Sequence, residues 1–93
     1  MKFRYSHEKN AKLLAERGVG FEEMIEEIVN GNLITISNHH NQELYPNQKI
    51  LHVKCLTKIY LVPYVVEENG TIFFKTLYPS RKATKAHLSS KKN

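Results

Sequence analysis

Apolar residues recur at two different spacings along this chain, and the change falls near residue 32. Before it, the spacing is helical. Residues 7–17 put Ala11, Leu14 and Ala15 on one helical face, with Leu13 beside them. Ser6 is placed to cap the start of that helix and Gly18 to close its end. From residue 21, Phe21, Met24, Ile25, Ile28 and Val29 recur at the three-four spacing of an amphipathic helix. Glu22, Glu23, Glu26 and Glu27 fill its other side as a solvated face, and Gly31 ends it.

After residue 32 the period becomes two. Residues 33–37 (LITIS) predict a strand, and "NHHNQELYPNQ" predicts a loop with Pro46-Asn47 as its turn. In 49–56, Leu51, Val53 and Cys55 alternate with His52 and Lys54. Thr57-Lys58 is a short connection, which makes 59–66 an antiparallel hairpin partner. Pro63 inside that strand lacks an N–H donor and predicts an edge position or a bulge. A turn at 67–70 leads to a strand at 71–78, and Ser80 caps a last helix. A short strand over 2–5 completes the order. The expectation is an α+β fold, with two N-terminal helices packed on one face of an antiparallel sheet meander, followed by a short C-terminal helix. The other sheet face is expected to stay open.

Length and composition narrow the class. The chain has 93 residues, 41% hydrophobic and 25% charged, which predicts one folded domain over 1–88 and excludes a disordered chain. The formal charge is +5, and it is unevenly spread: residues 1–30 carry −1, residues 31–79 carry +1, and residues 80–93 carry +5. Residues 89–93 (SSKKN) predict a basic flexible tail. The single Cys55 excludes an internal disulfide and fits a reducing compartment. "MKFRYSHEKN" holds no apolar signal-peptide core, and the longest apolar run is too short to span a membrane, so a cytoplasmic location is expected.

The concentrated positive charge reads either as a patch for a polyanion or as a solubilising tail. Ser80, Arg81, Lys82 and Lys85 open a helix without a single acid. Cations there work against the helix dipole, and a bound anion would offset the cost. Arg81 and Lys85, four apart, share a face. Elsewhere the chemistry is sparser. His52 and Lys54 occupy the polar side of their strand. Tyr60 and Tyr64 share one strand face and Tyr78 ends the next, either as packed aromatics or as stacking platforms. Lys75 is an edge guard or a ligand-facing cation. His39-His40 with Glu43 converge poorly as metal ligands on a loop, so neither metal nor cofactor is expected. Cys55 reads as a small buried hydrophobe. No phosphate loop, dinucleotide glycine pattern or nucleophile elbow is present.

The aromatic start (Phe3, Tyr5), the segment "ERGVGFEEM" at 16–24, the strand meander and the basic "SRKATK" at 80–85 together resemble the BrnT family of bacterial type II toxins. The likeness runs over nearly the whole chain and is most specific at 17–23 and 80–85. Tyr5 and Ser6 stand where that family has Trp and Asp, and Ala86-His87-Leu88 where it tends to arginines and a glutamate. The resemblance implies a RelE-like ribonuclease fold, RNA cleavage that blocks translation, and a BrnA-like ribbon-helix-helix antitoxin as partner, with any oligomer formed through that partner. Metal-independent RNA cleavage needs a base, an acid and cations around the phosphorus. Arg81, Lys85 and His52 are the candidates for that chemistry, with Ser80, Lys82, Lys54, Lys75 and Tyr78 as RNA contacts. A non-catalytic module that binds RNA or the partner through the same fold is the alternative.

Overall fold

In the computed structural model, residues 2–88 are described; the predicted basic tail at 89–93 lies outside them. The element order is β1 (Phe3–Arg4), α1 (His7–Arg17), α2 (Phe21–Val29), β2 (Leu33–Asn38), β3 (Lys49–Cys55), β4 (Lys58–Val66), β5 (Ile72–Phe74), β6 (Tyr78–Ser80) and α3 (Arg81–Leu88). The sheet runs β1-β5-β4-β3-β2, with β6 also on β4. Only the β1–β5 pair is parallel. The expected α+β fold is therefore present.

The helix ends form as their residues dictate. The Ser6 hydroxyl accepts the Lys9 N–H at 3.1 Å, and Gly18, at φ 74°, returns its N–H to the Leu14 carbonyl. Between α1 and α2 the chain is held by cross-caps. The Phe21 N–H donates to Asn10 Oδ1 at 2.7 Å, and the Gly20 N–H donates to Glu23 Oε1 at 2.7 Å. A Cβ on residue 20 would collide with the Asn10 side chain and press on Leu14, so this close approach needs glycine. Glu27 also leaves the expected solvated row, accepting from the Asn32 side chain at 2.7 Å.

One sheet face carries the core. Leu51, Val53 and Cys55 of β3 and Tyr60, Val62 and Tyr64 of β4 alternate onto it, against Leu13, Phe21 and Met24. Phe3, Phe74, Phe21 and Tyr5 form a chain of tilted rings with centroids 5.0–5.7 Å apart. This is why the aromatic start matters: it closes the core between β1, β5 and α2. Two apolar assignments change. On α1 only Leu13 is buried; Ala11, Leu14 and Ala15 face outward. On α2, Val29 is also exposed. A short amphipathic helix needs only a narrow stripe, and the packing selects Leu13.

Pro63 departs from its expected place. It sits in β4, the central strand, in unbroken register with β3. In a strand the N and O of one residue point to the same edge. The Pro63 carbonyl accepts the Lys75 N–H at 2.8 Å, so its nitrogen faces the gap between β5 and β6. The expected 71–78 strand is broken there: β5 pairs Val66 to Tyr64 and β6 pairs Leu61 to Ile59, with buried Leu77 between. The missing donor is tolerated because the ladder pauses opposite it.

The second sheet face is not left open. α3 folds back over one end, and residues 39–48 cover the other. Thr84 joins α3 to the sheet: its hydroxyl accepts the Ile59 N–H at 2.8 Å and donates to the Ser80 carbonyl at 2.6 Å. Ser80 caps α3 through Ala83 N–H at 3.0 Å, as its place in the sequence predicts. Among the described residues no helix is long and apolar enough to cross a membrane.

Candidate active site

The face under α3 holds the polar residues that alternate with the core. Register places Thr35 beside His52 and Ser37 beside Ile50 on β2 and β3. His52 Nε2 lies 2.9 Å from Ser37 Oγ. Its other nitrogen, Nδ1, is buried and has no hydrogen-bond partner among the described residues. Such an atom is costly in an ordinary interior and points to use. The reason for its setting is α3. Ala83 and His87, one turn apart, face the sheet, and the small Ala83 lets the helix come close. The His87 ring then meets the His52 ring edge-on, with centroids 5.5 Å apart and planes at 90°.

These rings line a cleft of about 240 Å³ with Leu61, Ser80, Lys82 and Ala86. Burial, then the neighbouring His87, pushes the His52 pKa down from the ordinary histidine value. His52 is therefore held as the neutral base form near neutral pH. The cleft thus combines a neutral imidazole, a second imidazole and an ammonium group. That set can take a proton, deliver one and stabilise negative charge between them.

The cations expected to act with His52 are divided by the helix. Lys82 lines its cleft, whereas Arg81 and Lys85 lie on the other flank of α3. There they line a concavity of about 520 Å³ with Lys58, Ser80 and Thr84. So Arg81, Lys85 and His52 do not share one cavity. Ser80 borders both, which makes the start of α3 the divide between an acid–base cleft and a basic shelf. Lys54 points to the same sheet side as His52, paired in register with Ile59 nearer the β3–β4 hairpin.

Lys75 and Tyr78 belong to a third concavity, of about 550 Å³, with His39, His40, Tyr45, Gln48, Pro63 and Thr76. Lys75 Nζ also stands 5.5 Å from the centre of the Phe73 ring. Tyr60 and Tyr64 are core residues on the opposite face, where burial raises both phenol pKa values. Of the tyrosines singled out in the sequence, only Tyr78 lines one of these three concavities. Cys55 is buried, with its thiol pKa pushed up by burial and then by Glu27, Glu23 and Glu26. That environment disfavours a nucleophilic thiolate.

His39 and His40 stack with centroids 4.5 Å apart. The Asn41 N–H donates to His39 Nδ1 at 3.0 Å, so one ligating nitrogen is already engaged. Among the described residues no group of three or more His, Cys, Asp and Glu is placed to hold a metal ion.

His87 is the functional candidate that reading along the chain passed over, because it stood only as a non-acid after Ala86. The available signal was its four-residue spacing from Ala83 on a helix capped by Ser80. Compared with models of protein families, with curated proteins and with solved structures, the chain matches none.

Proposed function

We propose that this protein is a BrnT-like toxin that cleaves RNA without a metal ion. The observation that carries the reading is the His52–His87 pair, 5.5 Å between ring centroids, in a cleft that also holds Lys82. His52 Nε2, exchanging its Ser37 partner for substrate, takes the proton of a ribose 2′-hydroxyl as that oxygen attacks the adjacent phosphorus. The bond from phosphorus to the 5′ oxygen breaks, and His87 delivers a proton to that oxygen. The products are a 2′,3′-cyclic phosphate and a free 5′-hydroxyl. Lys82 stabilises the charge on the non-bridging oxygens, and the shelf of Lys58, Arg81 and Lys85 holds the strand's backbone. On the resemblance of 16–24 and 80–85, the regulator is a BrnA-like ribbon-helix-helix antitoxin, and the protein acts in the cytoplasm.

The test is purified protein with a defined RNA in the presence of a chelator. Cleavage leaving cyclic-phosphate ends, lost in both His52→Ala and His87→Ala, is the expected result. RNA left intact by folded wild-type protein at high concentration overturns it. If that protein still binds RNA with a salt slope that falls by about one in Arg81→Ala, the fold acts as a binding module instead.

A further inference from the structure

Residues 39–48 form a built structure on the site face. The His39 N–H donates to the Gln48 carbonyl at 3.1 Å, the Tyr45 N–H to the Asn41 carbonyl at 3.0 Å, and the Gln48 N–H to the Tyr45 carbonyl at 3.2 Å. The Leu44 N–H donates to Asn41 Oδ1 at 3.2 Å. His39 is buried at the centre of this scaffold. Its ring packs at a tilt against those of His40 and Tyr45, with centroids 4.5 and 4.6 Å apart. Because His39 Nδ1 accepts from Asn41, the neutral ring carries its proton on Nε2.

This scaffold adjoins the acid–base cleft along β4. Leu61 lines the cleft, and Pro63, two residues further along the same face of β4, lines the aromatic concavity. Two strand residues span about 7 Å. Tyr78 is the register partner of Leu61, so it stands at the wall between the two spaces.

We propose that the concavity lined by His39, His40, Tyr45, Pro63, Lys75 and Tyr78 receives the base of the nucleotide next to the scissile phosphate. Three properties of the concavity match that ligand. Its size, about 550 Å³, admits one base with its sugar. Aromatic faces stack a nucleobase of any identity, and the polar edges of Gln48 and Thr76 can discriminate among bases. Lys75 supplies a cation for the attached phosphate. The assignment rests on the proposed RNA cleavage for the word scissile, but the pocket's occupant can be measured without it.

The experiment titrates the full chain with each of the four 5′-mononucleotides, and separately with inorganic phosphate, following ring resonances of His39, His40, Tyr45 and Tyr78 by NMR. Nucleotides are expected to shift these rings where phosphate alone does not. Tyr45, 42% exposed and outside the core, is the residue to change. Tyr45→Ala should weaken nucleotide binding about tenfold, and Tyr45→Phe should restore it. Nucleotides that perturb only α3 overturn the pocket even if RNA is cleaved. Ring shifts in a protein that cuts no RNA uphold the pocket and sink the catalytic reading instead. Binding of a peptide at these rings, with no response to any nucleotide, assigns the surface to a protein partner and also overturns the proposal.

Discussion

The two faces of one sheet have opposite characters, although the same two strands build both. β3 sends Leu51, Val53 and Cys55 one way and His52 and Lys54 the other; β4 sends Tyr60, Val62 and Tyr64 one way and Ile59, Leu61 and Pro63 the other. The first face is sealed by α2 and a train of aromatic rings. The second is only partly covered, by α3 and residues 39–48, and two concavities remain along it, while the basic shelf lies on the other flank of α3. Alternation therefore sets the main core apart from the polar site residues, while Ile50 and Ile59, buried on the site face, add to stability there. A substitution in the main core should act on stability, and one of a polar site-face residue on chemistry.

The hardest test of that separation is Phe21→Ala. Phe21 is fully buried and contacts both Tyr5 and Phe74. Its loss should cost about 3–5 kcal/mol of folding stability, a large part of what a small domain has. Chemical denaturation checks it. The proposed RNA cleavage, per folded molecule, should remain, since the ring is on the far side of the sheet from the cleft.

The reverse test is His52→Leu. Cleavage should fall by about 10² to 10⁴-fold, the usual contribution of a positioned proton-transfer group. Stability should change by no more than about 1–2 kcal/mol, because removing the unpartnered Nδ1 offsets part of the loss of the Nε2–Ser37 bond. A stability loss above about 3 kcal/mol would mean that His52 is part of a structural network and would weaken its role as base.

The sheet's core face was legible from sequence because burial imposes a period. Helix limits at Ser6, Gly18 and Ser80 were legible because capping uses few residue types. The site face was less so. Pro63 predicts an edge or a bulge since its own strand does not reveal that β5 and β6 leave a gap opposite it. The α1 stripe was misassigned because Ala11, Leu14 and Ala15 satisfy helical spacing as well as Leu13 does; only packing chooses between them. His87 reaches His52 solely through the packing of α3 against β4, a contact between residues 35 apart that no local pattern encodes. The 39–48 segment has no period at all, and its order comes from backbone and Asn–His hydrogen bonds.

Leu56→Gly sharpens the comparison at the hairpin where both faces end. Leu56 takes φ 58° in the two-residue turn between β3 and β4 and is 80% exposed. A side chain in this region costs about 1–2 kcal/mol, which glycine avoids, though glycine gives back part through a freer unfolded chain. A net gain of about 1 kcal/mol is expected in thermal or chemical unfolding. Unchanged cleavage would agree with a turn that serves the fold only, whereas a drop would show that the strained tip also contacts RNA.

The gentlest probe is pH, and its two limbs read the two faces. Burial lowers the pKa of His39 and His52, with His40 and His87 adding to the effect. Both histidines belong to the site face. The unfolded chain protonates them near about pH 6.5, before the folded chain does. Their contribution is therefore complete above that pH and is lost as pH falls through the lower, folded values. On the core face, burial raises the pKa of Cys55, Tyr60 and Tyr64. The unfolded chain loses those protons first, from about pH 8.5 for the thiol and about 10 for the phenols. Stability should then decline as pH rises through that range. Tyr78, whose pKa burial also raises, adds a site-face share to this alkaline limb. Denaturant midpoints from pH 5 to 10 should trace a plateau with both shoulders. His52→Leu should flatten the acid shoulder and leave the alkaline one in place. An acid shoulder untouched by replacing both His39 and His52 would mean that other groups govern it, and the assignment of that limb to the site face would fail.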